Sequence, residues 1–79
     1  MKTDVRDMTP AQCRELLQKL TDRQREVLAL VADGLPNKAI AWKLDMSERT
    51  VNAHRRDIYT RLEVNCTAHA VVLAVRGGV

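Results

Sequence analysis

The sequence predicts an all-α fold, a four-helix bundle with one additional helix at its N-terminal side. Three observations carry this expectation. Apolar residues recur at three- and four-residue spacing through most of the 79 residues. Most of these stretches open on Thr, Ser or Asn, whose side chains accept from the free N–H groups of a first helical turn. Gly 3 and Pro 2 are too few for a strand-and-turn architecture of this length. A chain this short builds one domain around one core.

The segments follow in order. Residues 1–8 are polar and expected to be flexible. Residues 9–20 form the extra or linker helix. Thr9 is its cap, Pro10 suits the first position and Gln12 completes a capping box, in which cap and third residue exchange side-chain bonds. Cys13, Leu16, Leu17 and Leu20 share one face. The domain proper is expected over 21–78. Thr21 and Gln24 repeat the capping box, and Gly34 stops that helix, since it adopts a left-handed conformation without a Cβ penalty. Asn37 is read as the cap of helix 37–44, in which Ile40, Ala41 and Leu44 face the core. Ser47 caps helix 47–62, with Met46 and Val51 as a hydrophobic staple. The last helix, 66–78, carries two stripes. Val64, Ala68, Val71, Val72 and Val75 form the expected core face; Ala70, Leu73 and Ala74 form a second apolar face opposite. Its valines suit a strand equally well, but no second strand-like segment exists to pair with it.

Composition excludes several classes. The longest apolar run, 70–75, is far short of the ~20 residues of a membrane span, so no membrane is expected as partner. The N-terminus lacks an apolar export signal. The two cysteines, Cys13 and Cys66, make neither a disulfide framework nor a zinc spacing, and the plain expectation is a cytoplasmic setting with no metal. There is no Gly-rich phosphate loop, no paired carboxylate in an apolar run and no nucleophile–base pair. The chain is therefore expected not to be an enzyme, and to take no cofactor and no small-molecule ligand.

The charge is localised. Residues 37–62 hold six basic side chains (Lys38, Lys43, Arg49, Arg55, Arg56, Arg61) against three acidic ones (Asp45, Glu48, Asp57), a net +3 equal to that of the whole chain. A basic stripe points to an anionic partner, with nucleic acid foremost. The same segment has two helices joined by about three residues, the helix-turn-helix arrangement. Such a turn requires a positive φ at Asp45, which Asp tolerates better than most residues. On helix 47–62, Val51, Ile58 and Leu62 cluster on one side. Arg49, Asn52, Ala53, Arg56 and Thr60 lie opposite. These are side chains that a major groove accepts: Arg pairs with guanine, Asn with adenine, and Ala touches a thymine methyl. Lys38, Ser47, Arg49 and Thr50 are placed to hold phosphates.

The run LTDRQREVLALVADGLPNKAIAWKLDMSERTVNAHRRDIYTRLEV, from Leu20 onward, resembles the LuxR-type (FixJ/NarL-like) helix-turn-helix DNA-binding domain of bacterial transcriptional regulators. The motifs L-T-x-R-x-x-E-V-L, G-L-x-N-K-x-I-A, S-x-R-T-V-x-x-H and L-x-V carry it. The resemblance extends to about Val75. It implies a four-helix bundle that binds double-stranded DNA as a homodimer. It places base contacts at Asn52, Ala53 and Arg56, backbone contacts around Lys38, Ser47 and Thr50, and the dimer contact on the last helix. The second stripe, Ala70, Leu73 and Ala74, is the expected dimer surface; the alternative is that it packs on helix 9–20. The chain departs from the family at Cys66-Thr67-Ala68, where a polar cap and an Arg are usual.

Other residues have blander expectations. His54 packs at the core margin, His69 lies on the surface, and Cys13 is an apolar filler. Trp42 has two open readings, a phosphate contact or a cover for the core edge. Arg55 and Tyr59 are equally open; Arg55 either contacts a phosphate or lies over the core margin. The function expected is sequence-specific DNA binding in transcription regulation, as the effector domain of a response regulator, with RNA polymerase as a further candidate partner. The rivals are a sigma-factor promoter-recognition domain and a helical protein-interaction module with a basic face.

Overall fold

The computed structural model describes residues 5–79. Among them a 3-10 turn, Val5–Asp7, precedes five helices: α1 Pro10–Leu17, α2 Asp22–Ala32, α3 Asn37–Leu44, α4 Glu48–Leu62 and α5 Thr67–Gly77. The described residues contain no strand, and the valine-rich C-terminal segment is helical. None of these helices is long and apolar enough to cross a membrane.

Local chemistry starts and stops the helices. Thr9 accepts from the Gln12 N–H at 3.2 Å, and Gln12 Oε1 accepts from the Thr9 N–H at 2.9 Å. Thr21 and Gln24 repeat this at 3.1 Å in both directions, which satisfies the buried Gln24 amide oxygen. At the C-termini of α2 to α5 a residue turns left-handed and the next N–H bonds back across five residues. Gly34 (φ 87) leads to Leu35 N–H···O Leu30 at 3.1 Å, and Gly78 (φ 78) to Val79 N–H···O Ala74 at 2.9 Å. Asp45 (φ 54) and Glu63 (φ 57) do the same without being glycine, with bonds of 2.9 and 3.0 Å to Ala41 and Tyr59. The positive φ at Asp45 was expected; Glu63 carries no sequence signal for it. A left-handed non-glycine residue costs up to ~1–2 kcal/mol. Asp45→Gly is expected to raise the melting temperature by a few degrees in a dichroism melt. A lower melting temperature would show that the Asp45 side chain contributes more than its backbone costs.

Arginines cap other exposed carbonyls. Arg25 donates to the Leu20 carbonyl at 2.9 Å and pairs with Asp22. Arg23 reaches the Leu44 carbonyl at 3.1 Å, and Arg61 the Lys19 carbonyl at 3.0 Å. Asn37, expected as a cap, is instead the first residue of α3. Pro36 takes the cap position without a side-chain bond.

Helices α3 and α4 form the helix-turn-helix pair; α2 lies against α4 and α5, and α1 lies along α5. Val27, Leu28, Ile40, Val51, Ile58, Leu62 and Leu73 are fully buried at the centre. Helix α1 packs on the bundle. It adds Cys13 and Leu17 to that core, followed by Leu20. Its approach to α5 is so close that a Cβ on Gly77 would collide with Leu17. Residues 5–8, expected to be flexible, also belong to the fold. Val5 is buried, and Arg76 donates to its carbonyl at 3.0 Å. Residues 1–4 of that expected flexible segment lie outside the described residues.

The two stripes of α5 differ from expectation: the second is fully covered, and of the first Val64 is buried, Val71 and Val72 are half-buried against the core, and only Ala68 and Val75 are exposed. Ala70, Leu73 and Ala74 are each 0% exposed within the single chain, whereas Val75 is 68% exposed and Ala68 is on the surface. The expected dimer surface of Ala70, Leu73 and Ala74 is therefore corrected: these residues are buried within the single chain, on the helix face that continues to Gly77 against α1. The reason is the leucine face of α1, which has no other apolar surface to cover.

Candidate nucleic-acid interface

Helix α4 is amphipathic at the helical period. Val51, Ile58 and Leu62 anchor it in the core. Arg49, Asn52, Ala53, Arg56 and Thr60 all lie exposed on the opposite face. Ala53 keeps the centre of that face low, so another backbone can approach closely. Neither Arg49 nor Arg56 has a hydrogen-bond or ion-pair partner among the described residues. Lys38, in the first turn of α3, is likewise exposed and unengaged among them. An arginine held in solvent without a carboxylate keeps its donors for an external acceptor.

The start of α4 is built by Ser47. Its Oγ accepts from the Thr50 N–H at 3.0 Å and lies 2.9 Å from Thr50 Oγ1. Two hydroxyls share one bond between them, so one hydroxyl proton of this pair stays available to an outside acceptor. The helix N-terminus adds its own favourable field for an anion there.

Arg55 does something different. Of its two open readings the structure supports the one at the core margin, since three of its five N–H donors are engaged inside the chain. Nη1 donates to Asn37 Oδ1 at 2.6 Å, Nη2 to Thr67 Oγ1 at 3.0 Å and Nε to the Tyr59 hydroxyl at 3.1 Å. The Tyr59 hydroxyl lies 2.9 Å from Thr67 Oγ1, and Asn37 Nδ2 donates to Asn52 Oδ1 at 2.6 Å. One cation thus ties the first residue of α3, the middle of α4 and the first residue of α5. These side chains line a shallow recess with Asn52 and Arg56 at its rim. Of the six basic residues in 37–62, Arg55 and Arg61 serve the fold, and Lys38, Lys43, Arg49 and Arg56 face solvent.

This helix-turn-helix has a match among known families. Residues 18–74 match the family described as bacterial regulatory proteins, luxR family. The chain belongs to that family. The all-α fold and the helix-turn-helix are those of a LuxR-family domain, a DNA-binding module of transcription regulation. The match sets aside the sigma-factor reading. The chain is 42% identical over 77 residues to the transcriptional regulatory protein FixJ of Rhizobium meliloti, covering 98% of this chain and 37% of that protein. It is 39% identical over 56 residues to the nitrate/nitrite response regulator protein NarL of Escherichia coli, covering 71% and 26%. A nitrate/nitrite response regulator homolog of Haemophilus influenzae is 46% identical over 57 residues, covering 72% and 27%. The chain therefore spans about a quarter to somewhat over a third of the length of these relatives. Helix α1 lies before the family match yet within the stretch shared with FixJ.

Trp42 is 87% exposed and covers no part of the core. His54 is half-buried, His69 exposed, and Cys13 buried. The LuxR-family departure at Cys66 has a structural result: Cys66 sits at the cap of α5 without a side-chain bond, and the Thr67 hydroxyl is taken by Arg55 instead. Sequence reasoning missed the roles of Asn37 and Thr67. The spacing of Arg55 and Tyr59, four residues apart, marks them as helix neighbours. Nothing local marks Asn37 or Thr67, which reach Arg55 only through the packing of three helices.

Proposed function

We propose that this chain is the sequence-specific, double-stranded-DNA-binding effector domain of a response regulator. Helix α4 lies in the major groove. Asn52, Ala53 and Arg56 meet base edges, and Lys38, Ser47, Arg49 and Thr50 hold the flanking phosphates. The observation that carries this reading is the exposed polar face of α4, centred on Ala53 with Arg49 and Arg56 bonded to none of the described residues, in the second helix of a helix-turn-helix. The length of the FixJ and NarL relatives supports the response-regulator context, since this chain matches only part of each. The domain binds as a homodimer to a palindromic site, one α4 per half-site, about one helical turn apart. With Ala70, Leu73 and Ala74 buried, the two-fold contact falls on the outer face of α5, at Ala68, Val71, Val72 and Val75. Such a domain works in the cytoplasm, and RNA polymerase is the machinery it addresses once bound.

Selection of bound duplexes from a random pool tests this directly. An enriched pair of inverted half-sites is the expected result; recovery of no motif would overturn the reading. Lys38→Ala is expected to weaken binding to all duplexes alike. It should also reduce the slope of log affinity against log salt by about one unit, as for one lost phosphate contact. An unchanged slope would remove Lys38 from the interface.

A further inference from the structure

We infer that Asn37 and Arg55 fix the orientation of the Asn52 side-chain amide, so that Asn52 presents its NH2 group, and not its carbonyl, to a bound base pair. This rests on the placement of α4 in the groove and deepens it, since it states which base edges Asn52 selects.

The hydrogen-bond chain has a single polarity. A guanidinium only donates. Arg55 Nη1 lies 2.6 Å from an Asn37 amide atom, which must therefore be Oδ1. The other amide atom of Asn37 is then Nδ2, which again only donates, and it lies 2.6 Å from Asn52. Asn52 must answer with Oδ1. Its Nδ2 is then the amide atom left outside this chain of bonds, on a residue that is exposed and lines the same recess as Arg56. Arg55 is itself held from two other helix positions, Tyr59 and Thr67, so the source of the polarity cannot turn away. Reversing Asn52 alone would place two NH2 groups face to face and leave a donor of Asn37 without an acceptor.

A free asparagine reads adenine with both of its amide atoms. In this chain the oxygen is already engaged, and the outward group is a donor. It matches base edges that carry acceptors, guanine O6/N7 or thymine O4, and mismatches the cytosine amino edge. Asn37 and Arg55 are thus positioning residues that act through Asn52 without touching DNA.

Asn37→Asp inverts the chain. A carboxylate accepts from Arg55 with one oxygen and, with the other, can only accept again. Asn52 must then turn its NH2 inward and its carbonyl outward. The test is random-duplex selection with four chains: wild type, Asn37→Asp, Asn37→Ala and Asn52→Ala, each first shown to be helical and to melt cooperatively. Asn37 makes no cap bond, so Asn37→Ala is a second probe should the charged variant fail to fold. The wild type is expected to show one base pair per half-site at which Asn52→Ala erases discrimination and an acceptor edge is preferred. At that pair Asn37→Asp is expected to reverse the preference to a donor edge, cytosine N4 or adenine N6, by about tenfold. Asn37→Ala is expected to bring the two edges close to parity. The added charge of Asn37→Asp lowers affinity for all duplexes together, and the ratio between duplexes is free of it. If Asn37→Asp and Asn37→Ala keep the wild-type base while Asn52→Ala loses it, the inference is overturned and the placement of α4 stands. If no pair responds to Asn52→Ala, the Asn52 contact itself falls. If the wild type enriches no sequence, the DNA reading fails before this inference is reached.

Discussion

Leu73→Glu is expected to unfold the domain rather than to separate a dimer. Leu73 is 0% exposed within one chain, on the helix that packs against both α1 and α2. Removing a buried leucine side chain alone costs about 2–5 kcal/mol. The carboxylate adds the cost of placing a charge, or of protonating it, where no partner exists. A chain of this length has a total stability of roughly 4–12 kcal/mol. The expected observation is loss of helical dichroism and of a cooperative melt at room temperature. Val75→Glu is the matched control, the same charge two residues further along α5. Val75 is exposed, and that variant should keep its stability within about 0.5 kcal/mol. A folded Leu73→Glu chain that sediments as a smaller species would return this stripe to the surface and contradict its burial.

Arg56→Ala should leave the fold intact and cost about 1–3 kcal/mol on the selected duplex, roughly 5- to 150-fold in affinity. The side chain is exposed and bonded to none of the described residues, so its removal strands no partner in the protein. What is lost is an external contact. Arginine presents two parallel N–H donors that match guanine O6 and N7. The cost should therefore concentrate at one base pair per half-site. Binding to duplexes altered at each position in turn measures this. Equal loss on every duplex would make Arg56 a phosphate contact and leave base selection to Asn52 and Ala53.

The two arginines at 55 and 56 show how far the residues of α4 can be read without their neighbours. Helical periodicity places Arg56 outward with Arg49 and Ala53, and the structure agrees. The same periodicity places Arg55 at a margin, where solvent and core are equally near. Its partners decide the matter, and two of the three come from α3 and α5. The mistaken assignment of Ala70, Leu73 and Ala74 has the same origin. Helix α5 is apolar on both sides, so periodicity finds two faces without ranking them.

The sequence alone determined the helices, the caps at Thr9, Thr21 and Ser47, and the outward face of α4. These depend on contacts within a few residues: Thr9 with Gln12, Thr21 with Gln24, Ser47 with Thr50, and the three-and-four spacing of the core leucines and valines. Tertiary structure decided which face of α5 is covered, that α1 belongs to the core, and that Arg55 binds Asn37 and Thr67. Those outcomes depend on contacts between residues up to tens of positions apart. Their strength comes from the area buried and the polar groups paired when helices meet, and no single segment contains that information.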